Sequence, residues 1–381
     1  MSWKEVSTMS LKKEFISFVM RDRESANISL LCKHYGISRT LAYKLINRYL
    51  EEGESALVER SRRPHTSPKR TPELIEYLII SVKKSHPAWG GAKIRDFLHN
   101  NSHKNIPAPS TITQILRRHN YVDEAECLKH TAHQRFEYEK PNLLWQMDFK
   151  GDVKTLDGVC YPLTVLDDHS RFSILIKACN NKTSETTKEA LVNAFRTYGM
   201  PHKMLVDNGS PWGAYPNCRN TSFSVWLMRL GVSLIHGRPY HPQTQGKEER
   251  FHRTMVNELI SHTVFRDIND CQRQFDSWRE EYNFIRPHES VDRKPPASRF
   301  IHSNIEFPEA LPKIEYSSSD IIRKVSIDGD ISYKSVRYKV GKAFQGYPVA
   351  IRYTQTDGVL FVYFCSTKVA EIDLYKQNDI I

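Results

Sequence analysis

Acidic residues stand where the sequence pattern predicts that strands end or a helix begins. Asp148 ends the apolar run LLWQMD, and Asp207 ends the run KMLVD. Glu248 and Glu249 lie side by side at the start of a long helical pattern, in GRPYHPQTQGKEERFHRT. If the two strands are neighbours, their carboxylates meet at one edge of a sheet, and a helix that crosses this edge supplies a third acid.

Three carboxylates at one place would have a definite chemistry. They repel each other, so the cluster is stable only when protons or a bound cation neutralise it. Hard oxygen ligands of this kind select Mg²⁺ or Mn²⁺. Two such ions about 3.5 to 4 Å apart activate the attacking oxygen and stabilise the leaving oxygen at a phosphodiester. Each acid alone is more simply a turn residue or a helix N-terminal acid, but the three together favour a metal site.

Helical periodicity does not decide which glutamate completes this set. When Phe251 and Met255 are taken as part of the buried face, Glu248 projects nearer the centre of that face and Glu249 lies near its border. Both glutamates therefore stay candidates at this level.

The elements that must position the acids begin near Lys140, where the apolar period changes from helical to strand-like. NLLWQMDFKG, GVCYPLTVLDDHSR and FSILIKACN are three strand-like runs, followed by helices and strands in alternation. The order β-β-β-α-β-α-β-α predicts a mixed sheet covered by helices. Asp167 and Asp168 follow the second run, and we expect them to be structural residues that cap a turn with Ser170 and Arg171.

The N-terminal segment has the pattern of a helix-turn-helix. A short amphipathic helix is followed by a turn at Gly36 and by a second helix capped by Ser38. Leu41 belongs to the side of the second helix that is expected to pack. A plain helical hairpin with a charged face is the alternative. The side chains left for DNA are Arg39, Tyr43, Lys44 and Arg48.

A second helix-turn-helix is predicted after the basic, proline-containing linker SRRPHTSPKRTP. Thr71 is expected to cap its first helix and Ser110 its last. Linker arginines can lie along phosphates or in a minor groove, although a solvated linker would have the same composition. The residues predicted to contact DNA in the linker and in the last helix are Arg62, Arg63, Arg117 and Arg118.

The bulk composition supports a folded protein with several domains and a polyanionic partner. The chain has 381 residues, 39% of them hydrophobic, and a formal net charge of +11. Nucleic acid is the first expectation for the partner and an anionic membrane surface the second. The sequence has no apolar run long enough to span a membrane and no signal-peptide core, so we expect a cytosolic protein. Seven scattered cysteines without a C-x-x-C pair suit neither a disulfide framework nor a zinc site.

The C-terminal segment alternates apolar and polar residues in short runs beyond Glu315. This pattern predicts a small all-β barrel or sandwich of about five or six strands. The predicted domains are two helix-turn-helix DNA-binding domains at 1–66 and 67–136, a central α/β catalytic core at 137–305, and a small β-barrel at 316–381.

Several motifs carry a resemblance to a known family. LWQMDF, LTVLDDHSRF, LVDNGSPW, RPYHPQTQGKEERFHRT and YNFIRPHESVDRKPP resemble the retroviral-integrase-like core of bacterial insertion-sequence DDE transposases. The similarity spans about Pro141 to Phe300. The flanking helix-turn-helix domains and the C-terminal β domain are similar to those that such transposases carry. The resemblance implies a ribonuclease-H-like fold for the core.

The resemblance also selects the metal-binding and catalytic triad. By the motif, the triad is Asp148, Asp207 and the acid directly before Arg250, which is Glu249; Glu248 is the reserve candidate. The segment between Asp207 and Glu249 is longer than is usual in the family, because GAYPNCRN follows DNGSPW. Such an insertion falls in a predicted loop and should be tolerated. The basic residues expected to hold phosphates beside the acids are His241, Lys247, Arg250 and Arg253.

The activity that the resemblance implies is DNA transposition. The helix-turn-helix domains would bind the terminal inverted repeats of the mobile element. The core would use two Mg²⁺ or Mn²⁺ ions while water cuts one strand, and the exposed 3′-hydroxyl would then attack target DNA without a covalent enzyme intermediate. The implied partners are double-stranded DNA, as element ends and as target, and further copies of the chain. The implied location is the bacterial cytoplasm, with no membrane association.

Two other functions compete with this interpretation. A non-catalytic, transposase-like regulator would need only the helix-turn-helix domains, and the three acids argue against it. A structure-selective nuclease could share the ribonuclease-H-like core, but two N-terminal recognition modules favour sequence-specific binding of DNA ends.

Overall fold

A computed structural model describes residues 8–21, 25–58, 70–122, 137–209, 211–213, 220–237 and 246–375. Arg62, Arg63 and His241, three of the predicted DNA contacts, lie outside these residues. The chain divides into two compact units, Met1–Arg70 and Thr71–Ile381. The four domain boundaries expected from the sequence stay a prediction. None of the helices in the described ranges is long and apolar enough to cross a membrane.

The first unit is a three-helix domain, and its predicted helix-turn-helix is confirmed. Gly36 takes the left-handed conformation (φ 64°) that ends the second helix, and the Ser38 hydroxyl caps the third by accepting from the Leu41 N–H at 3.2 Å. Leu41 was expected to pack, but its side chain is 53% exposed, because Ala42 turns inward instead. The helices are α1 Thr8–Arg21, α2 Ile28–Tyr35 and α3 Arg39–Glu52.

The second unit begins with three more helices, in the segment predicted as a second helix-turn-helix. Both expected caps were wrong, since α4 begins after Pro72 without a side-chain cap and α6 begins at Pro109. Proline at the first helical position already has the φ angle that a helix needs. A Cβ on Gly91 would stand 2.6 Å from the Pro109 carbonyl oxygen, so glycine is required where α5 crosses α6. The helices are α4 Glu73–Ser85, α5 Gly91–Asn100 and α6 Pro109–Arg118.

A mixed sheet forms the centre of the second unit, as the sequence pattern predicts. The predicted order of strands and helices is confirmed, with one short strand, β2, added. The strands are β1 Trp145–Phe149, β2 Val153–Thr155, β3 Gly158–Asp167, β4 Ser173–Cys179, β5 Lys203–Val206 and β6 Ser233–His236. The helices are α7 Ser184–Tyr198, α8 Ser222–Arg229, α9 Gly246–Glu258 and α10 Ile268–Glu280.

The strand pairing gives the sheet a ribonuclease-H-like topology. The path runs β2-β3-β1-β5-β6, and β4 also pairs with β3. β1 is antiparallel to β3 and parallel to β5, and β5 is parallel to β6. The strands that carry Asp148 and lead to Asp207 are therefore neighbours with the same direction, which is the arrangement that a shared acidic edge requires.

Helices cover both faces of this sheet and bury separate apolar clusters. One cluster packs α7 and α8 against the sheet around Trp145, Phe195 and Phe223. The other packs α9 and α10 around Phe251 and Phe275. Burial on both faces fixes the register of the strands, so it also fixes which residues lie at the strand ends.

The C-terminal segment is all-β, as predicted, but its described strands form no closed barrel. Four strands form an antiparallel sheet in the order β12-β11-β10-β7, and β8 and β9 form a separate hairpin. Val225 and Met228 of α8 belong to the apolar cluster of this C-terminal segment. Helix α8 therefore helps to cover apolar residues of the open sheet, which a closed barrel would bury inside itself. The strands are β7 Ile321–Lys324, β8 Asp330–Tyr333, β9 Val336–Lys339, β10 Pro348–Tyr353, β11 Val359–Phe364 and β12 Thr367–Asp373.

Candidate active site and nucleic-acid interface

Asp148 lies near the end of β1, opposite Thr164 of β3 in the antiparallel register. Asp148 is half-buried, because its neighbours Met147 and Leu163 lie in the hydrophobic core. The alternation of strand side chains turns Asp148 away from Met147, toward the face on which α9 packs.

Asp207 follows β5 directly and has a fixed carboxyl group. Its Oδ1 accepts the Gly209 N–H at 2.9 Å and the indole N–H of Trp212 at 2.5 Å. The Trp212 ring stacks on Phe149 with centroids 5.3 Å apart, and Phe149 follows Asp148 in the chain. The strand-end position and these two donors hold Asp207 beside the end of β1.

The two glutamates of α9 have opposite environments. Glu248 is only 1% exposed, whereas Glu249 is exposed in the first turn of the helix. This agrees with the sequence periodicity, which placed Glu248 nearer the centre of the buried face. Glu249 is thus the glutamate that solvent or a ligand can reach.

The charges of the other two predicted triad acids act on Asp148. Burial raises the pKa of Asp148 to about 6, and the negative charges of Asp207 and then Glu249 also raise it. The Phe149 backbone N–H and the Lys182 charge oppose this rise. A carboxyl group that is destabilised by neighbouring carboxylates gains most from a cation.

The donor set is suited to a hard divalent cation, but the acids are not drawn together as ligands. In the ranges that the structure describes, no group of three His, Cys, Asp or Glu side chains has a geometry that could hold a metal ion. Asp148 is the last residue but one of β1, Asp207 directly follows the adjacent strand β5, and Glu249 lies in the first turn of α9. Three carboxylates are oxygen donors of the kind that Mg²⁺ and Mn²⁺ prefer.

A buried polar cluster lies next to Asp148, and sequence reasoning missed it. The Thr164 hydroxyl lies 2.8 Å from His252 Nε2, 3.2 Å from Glu248 Oε2 and 3.1 Å from the Asp148 backbone oxygen. His252 Nδ1 lies 3.9 Å from Asp148 Oδ2. Glu248 and His252 are one helical turn apart on α9, and that spacing was the available signal.

Burial disfavours the charged forms of Glu248 and His252 in this cluster. Burial raises the pKa of Glu248 well above its usual value, and the Asp148 charge adds to the rise. Burial and the Lys150 charge lower the pKa of His252 to about 4. Glu248 Oε1 has no hydrogen-bond partner among the described residues. Glu248 is therefore the buried acid of this adjacent pair, and Glu249 is the exposed one.

Lys247, predicted as a phosphate contact, is engaged inside the protein. Its ammonium group donates to Asp168 Oδ1 at 2.5 Å, and Asp168 is 1% exposed. Asp168 also accepts from the Gln146 side chain at 2.7 Å and the Tyr138 N–H at 2.8 Å. A DNA contact by Lys247 stays a prediction, and here the residue joins α9 to the turn after β3.

The expected structural role of Asp167 is confirmed at the same turn. Its Oδ1 accepts from the Ser170 N–H at 2.7 Å and from the Ser170 hydroxyl at 2.6 Å. Its Oδ2 accepts from the Asn142 N–H at 2.8 Å. These bonds satisfy both oxygens of a buried carboxylate, so Asp167 is not available for a ligand.

The predicted DNA-contact residues of the helical segments differ in whether their side chains make hydrogen bonds within the protein. Arg39, Tyr43 and Lys44 are exposed on α3. Arg48 of the same helix donates to Glu52 at 3.0 Å and to the Val58 carbonyl at 2.9 Å. Arg48 is therefore a structural contact of the three-helix domain in this conformation.

The neighbouring arginines at the end of α6 show the same contrast. Arg117 is exposed, whereas Arg118 donates to the buried Glu76 of α4 at 3.0 Å. On α9, Arg253 is exposed and Arg250 lies 3.6 Å from Glu289. Arg117 and Arg253 present the freer cations.

Comparison with known protein families matches separate parts of the chain. The integrase core domain matches residues 138–242 and, through a second family model, residues 230–296. The C-terminal domain of the IS481 family transposases matches residues 320–380. A helix-turn-helix domain matches residues 12–65, and a homeodomain-like domain matches residues 41–116.

Similar proteins come from bacterial insertion elements and from retroviruses. An uncharacterized 39.2 kDa protein of insertion element IS476 from Xanthomonas euvesicatoria is 29% identical over 41% of this chain and 44% of its own length. A putative transposase for insertion sequence element IS5376 from Geobacillus stearothermophilus is 25% identical over 52% of this chain and 50% of its own length. The chain thus spans about half the length of these relatives.

Solved structures of viral integrases are also similar to parts of the chain. The HTLV-2 integrase catalytic core domain in complex with magnesium has a TM-score of 0.34 and 15% identity, over 42% of this chain and 97% of that one. A simian T-cell lymphotropic virus intasome in complex with a PP2A regulatory subunit has a TM-score of 0.38 and 16% identity, over 77% of this chain and 95% of that one.

Proposed function

We propose that this chain is an insertion-sequence DDE transposase with an integrase-like core, and that it binds the terminal inverted repeats of its element and catalyses DNA strand cleavage and strand transfer. In this proposal water first cuts one strand and leaves a 3′-hydroxyl. That hydroxyl then attacks a phosphodiester of target DNA, so one bond forms as another breaks and no enzyme side chain becomes covalently linked.

Three acids at the ends of separate elements carry the proposal, although their side chains are not arranged as metal ligands among the described residues. Asp148 and Asp207 end neighbouring parallel strands, and the charges of Asp207 and Glu249 both raise the pKa of Asp148. A purely structural carboxylate is commonly satisfied by hydrogen bonds or by a cation, as Asp167 and Asp168 are. The negative charges of Asp207 and Glu249 near Asp148 instead support a site that receives positive charge from a ligand.

Asp148, Asp207 and Glu249 are the residues that would hold Mg²⁺ or Mn²⁺. Two bound ions would activate the attacking oxygen and stabilise the leaving oxygen of the phosphodiester. Trp212 and Gly209 orient the Asp207 carboxylate, and the packing of β1 against β3 and β5 orients Asp148. Glu249 is exposed, so its side chain has room to turn toward a bound ion.

Basic surface residues of both compact units would bind DNA. Arg39, Tyr43 and Lys44 face solvent on α3, which is the second helix of the helix-turn-helix and the one that such domains insert into the major groove. Arg250 and Arg253 follow Glu249 on α9 and would hold phosphates close to the reacting bond. Because two element ends are joined in one event, we expect a multimer on DNA.

DNA binding and cleavage by matched variants test the proposal. The probes are labelled duplexes that carry the sequences flanking the gene, compared with random duplexes of equal length. Wild type should bind the flanking sequences more tightly at every salt concentration and nick them when Mg²⁺ is added. Asp148→Asn and Asp207→Asn should bind equally well and not nick. Binding without nicking by wild type, with Mg²⁺ or Mn²⁺, would favour the regulator instead.

A further inference from the structure

Trp212 combines deep burial with a hydrogen bond to a predicted metal ligand. Its side chain is 1% exposed, and its indole N–H donates to Asp207 Oδ1 at 2.5 Å. Indole nitrogen is only a donor, and a buried indole N–H usually finds an acceptor. Here the acceptor is a carboxylate of the candidate active site, so the bond is charge-assisted and directional.

The two oxygens of Asp207 are not equivalent. Oδ1 accepts two N–H groups, from Gly209 and from Trp212. Among the described residues, no hydrogen bond reaches Oδ2. Two donors occupy the acceptor directions of Oδ1, which leaves Oδ2 as the oxygen with free lone pairs.

Trp212 also connects Asp207 to the strand of Asp148. Its ring stacks on Phe149 at 5.3 Å with an angle of 16° between the planes, and it contacts Phe223 of α8 at 5.9 Å. One buried ring therefore packs beside the residue that follows Asp148 and holds the carboxylate of Asp207. A shift of either strand end would disturb both contacts.

Gly209 makes the close approach of this loop possible. A Cβ at this position would lie 3.0 Å from Asp207 Oδ2 and 3.3 Å from Oδ1. Such contacts are tighter than most Cβ atoms make, so a larger residue here requires the Asp207 carboxylate to shift slightly relative to its two donors.

We infer that Trp212 is a positioning residue for the metal site, because it fixes the Asp207 carboxylate so that Oδ2 faces the ion. The inference rests on the proposed function, since it assumes that Asp207 is a metal ligand. Trp212 itself touches no reacting atom. Hydrogen-bond partners of metal ligands typically change metal affinity by about 10- to 100-fold when they are removed.

Mn²⁺ binding to the full-length protein, measured by titration calorimetry without DNA, tests the inference. Trp212→Phe keeps an aromatic ring for stacking but removes the N–H donor. We expect its Mn²⁺ affinity to fall about 10- to 100-fold. Gly209→Ala should lower the affinity as well, because its Cβ displaces the carboxylate. Binding of DNA ends in the presence of a chelator should be unchanged in both variants.

Trp226→Phe is the matched control. Trp226 belongs to the same aromatic cluster, with its ring centroid 5.9 Å from that of Phe223, and among the described residues no hydrogen bond joins its side chain to the three acids. It should bind Mn²⁺ like wild type. If Trp212→Phe and Trp226→Phe bind Mn²⁺ equally well while Asp207→Asn does not bind, the role of Trp212 is refuted and the metal site stands. If Asp207→Asn binds Mn²⁺ as wild type does, the proposed metal site itself is refuted.

A fold measurement keeps the comparison valid. Circular dichroism and the thermal midpoint of each variant should show a folded protein. If Trp212→Phe is unfolded, Gly209→Ala tests whether the position of the Asp207 carboxylate, which Trp212 holds, sets the affinity: normal Mn²⁺ affinity would overturn the inference and reduced affinity would support it.

Discussion

Glu248 and Glu249 are adjacent in the chain, but the Glu248 carboxyl is buried against Thr164 and His252 while the Glu249 side chain is exposed. Helical geometry alone accounts for the difference, since successive residues on a helix point about 100° apart. The pair therefore allows the same functional group to be compared in a buried and in an exposed environment.

We predict that Glu249→Gln abolishes Mg²⁺-dependent nicking and that Glu248→Gln does not. Both variants remove one carboxylate and keep the side-chain size, but only Glu249 is accessible to a bound ion. The expected loss in Glu249→Gln is about 100-fold or more, beyond what loss of a supporting residue causes. The measurement is the initial nicking rate on labelled end DNA. Normal nicking by Glu249→Gln together with an inactive Glu248→Gln would assign the third acid to Glu248.

The stability of the Glu248→Gln variant relative to wild type should increase as the pH rises. Because burial raises the folded-state pKa of Glu248 above its usual value of 4.5, its stability contribution is complete below that pH and is lost as the pH rises through the folded pKa. Between pH 4.5 and the folded-state pKa, the free energy of unfolding of the wild type should fall by about 1.4 kcal/mol per pH unit relative to that of the variant. Urea unfolding at several pH values, without divalent ions, measures this. Parallel stability profiles for the two proteins would contradict the prediction.

His288 should make the protein sensitive to acid. Burial, followed by the positive charges of Arg286 and Arg171, lowers the pKa of His288 from 6.5 to about 2. The unfolded chain takes up a proton near pH 6.5 and the folded chain does not, so stability is full above 6.5 and falls as the pH decreases. The expected slope is about 1.4 kcal/mol per pH unit for this group.

His288→Asn isolates this effect. The variant should lose less stability than wild type between pH 6.5 and 4.5, whereas His262→Asn, which changes an exposed histidine, should follow wild type. Thermal midpoints over this pH range provide the comparison. The prediction fails if His288→Asn and wild type lose stability to the same extent.

Arg117 and Arg118 should separate DNA binding from stability. Arg118→Ala removes a partner of the buried Glu76 and should cost about 1 kcal/mol, discounted because the arginine is 43% exposed. Arg117→Ala should leave the thermal midpoint unchanged and weaken binding to duplex DNA, with a shallower salt dependence. Unchanged binding in Arg117→Ala at low and high salt would remove this residue from the DNA interface.

Much of the fold follows from local sequence patterns. The runs around Trp145, Val165 and Ile174 are buried strands because their apolar residues are consecutive or alternate, and the pairing of β1 with β5 follows from the order of elements. β2 was missed, since Val153–Thr155 is only three residues long and mostly polar. Barrel closure was wrongly expected, because it depends on whether β7 and β12 find partners, and no local pattern encodes that.

The site was predicted less completely than the fold. Element ends and the motif single out Asp148, Asp207 and Glu249, and their role as a metal site stays a prediction. The contacts of Trp212 with Asp207 and of His252 with Thr164 depend on how a loop and a helix pack onto the sheet. Likewise, Lys247 looked free in the sequence, but the fold brings it to Asp168, 79 residues away.

The most direct test of the central claim is a strand-joining assay with pre-cut end DNA that already has a free 3′-hydroxyl. Wild type with Mg²⁺ should join this labelled end to target DNA, while Asp148→Asn, Asp207→Asn and Glu249→Gln should bind the end and produce no joined product. Joined product from any of the three variants at the wild-type rate would remove that residue from the reaction. Absence of joining by wild type, despite specific end binding, would contradict a transposase that uses these three acids.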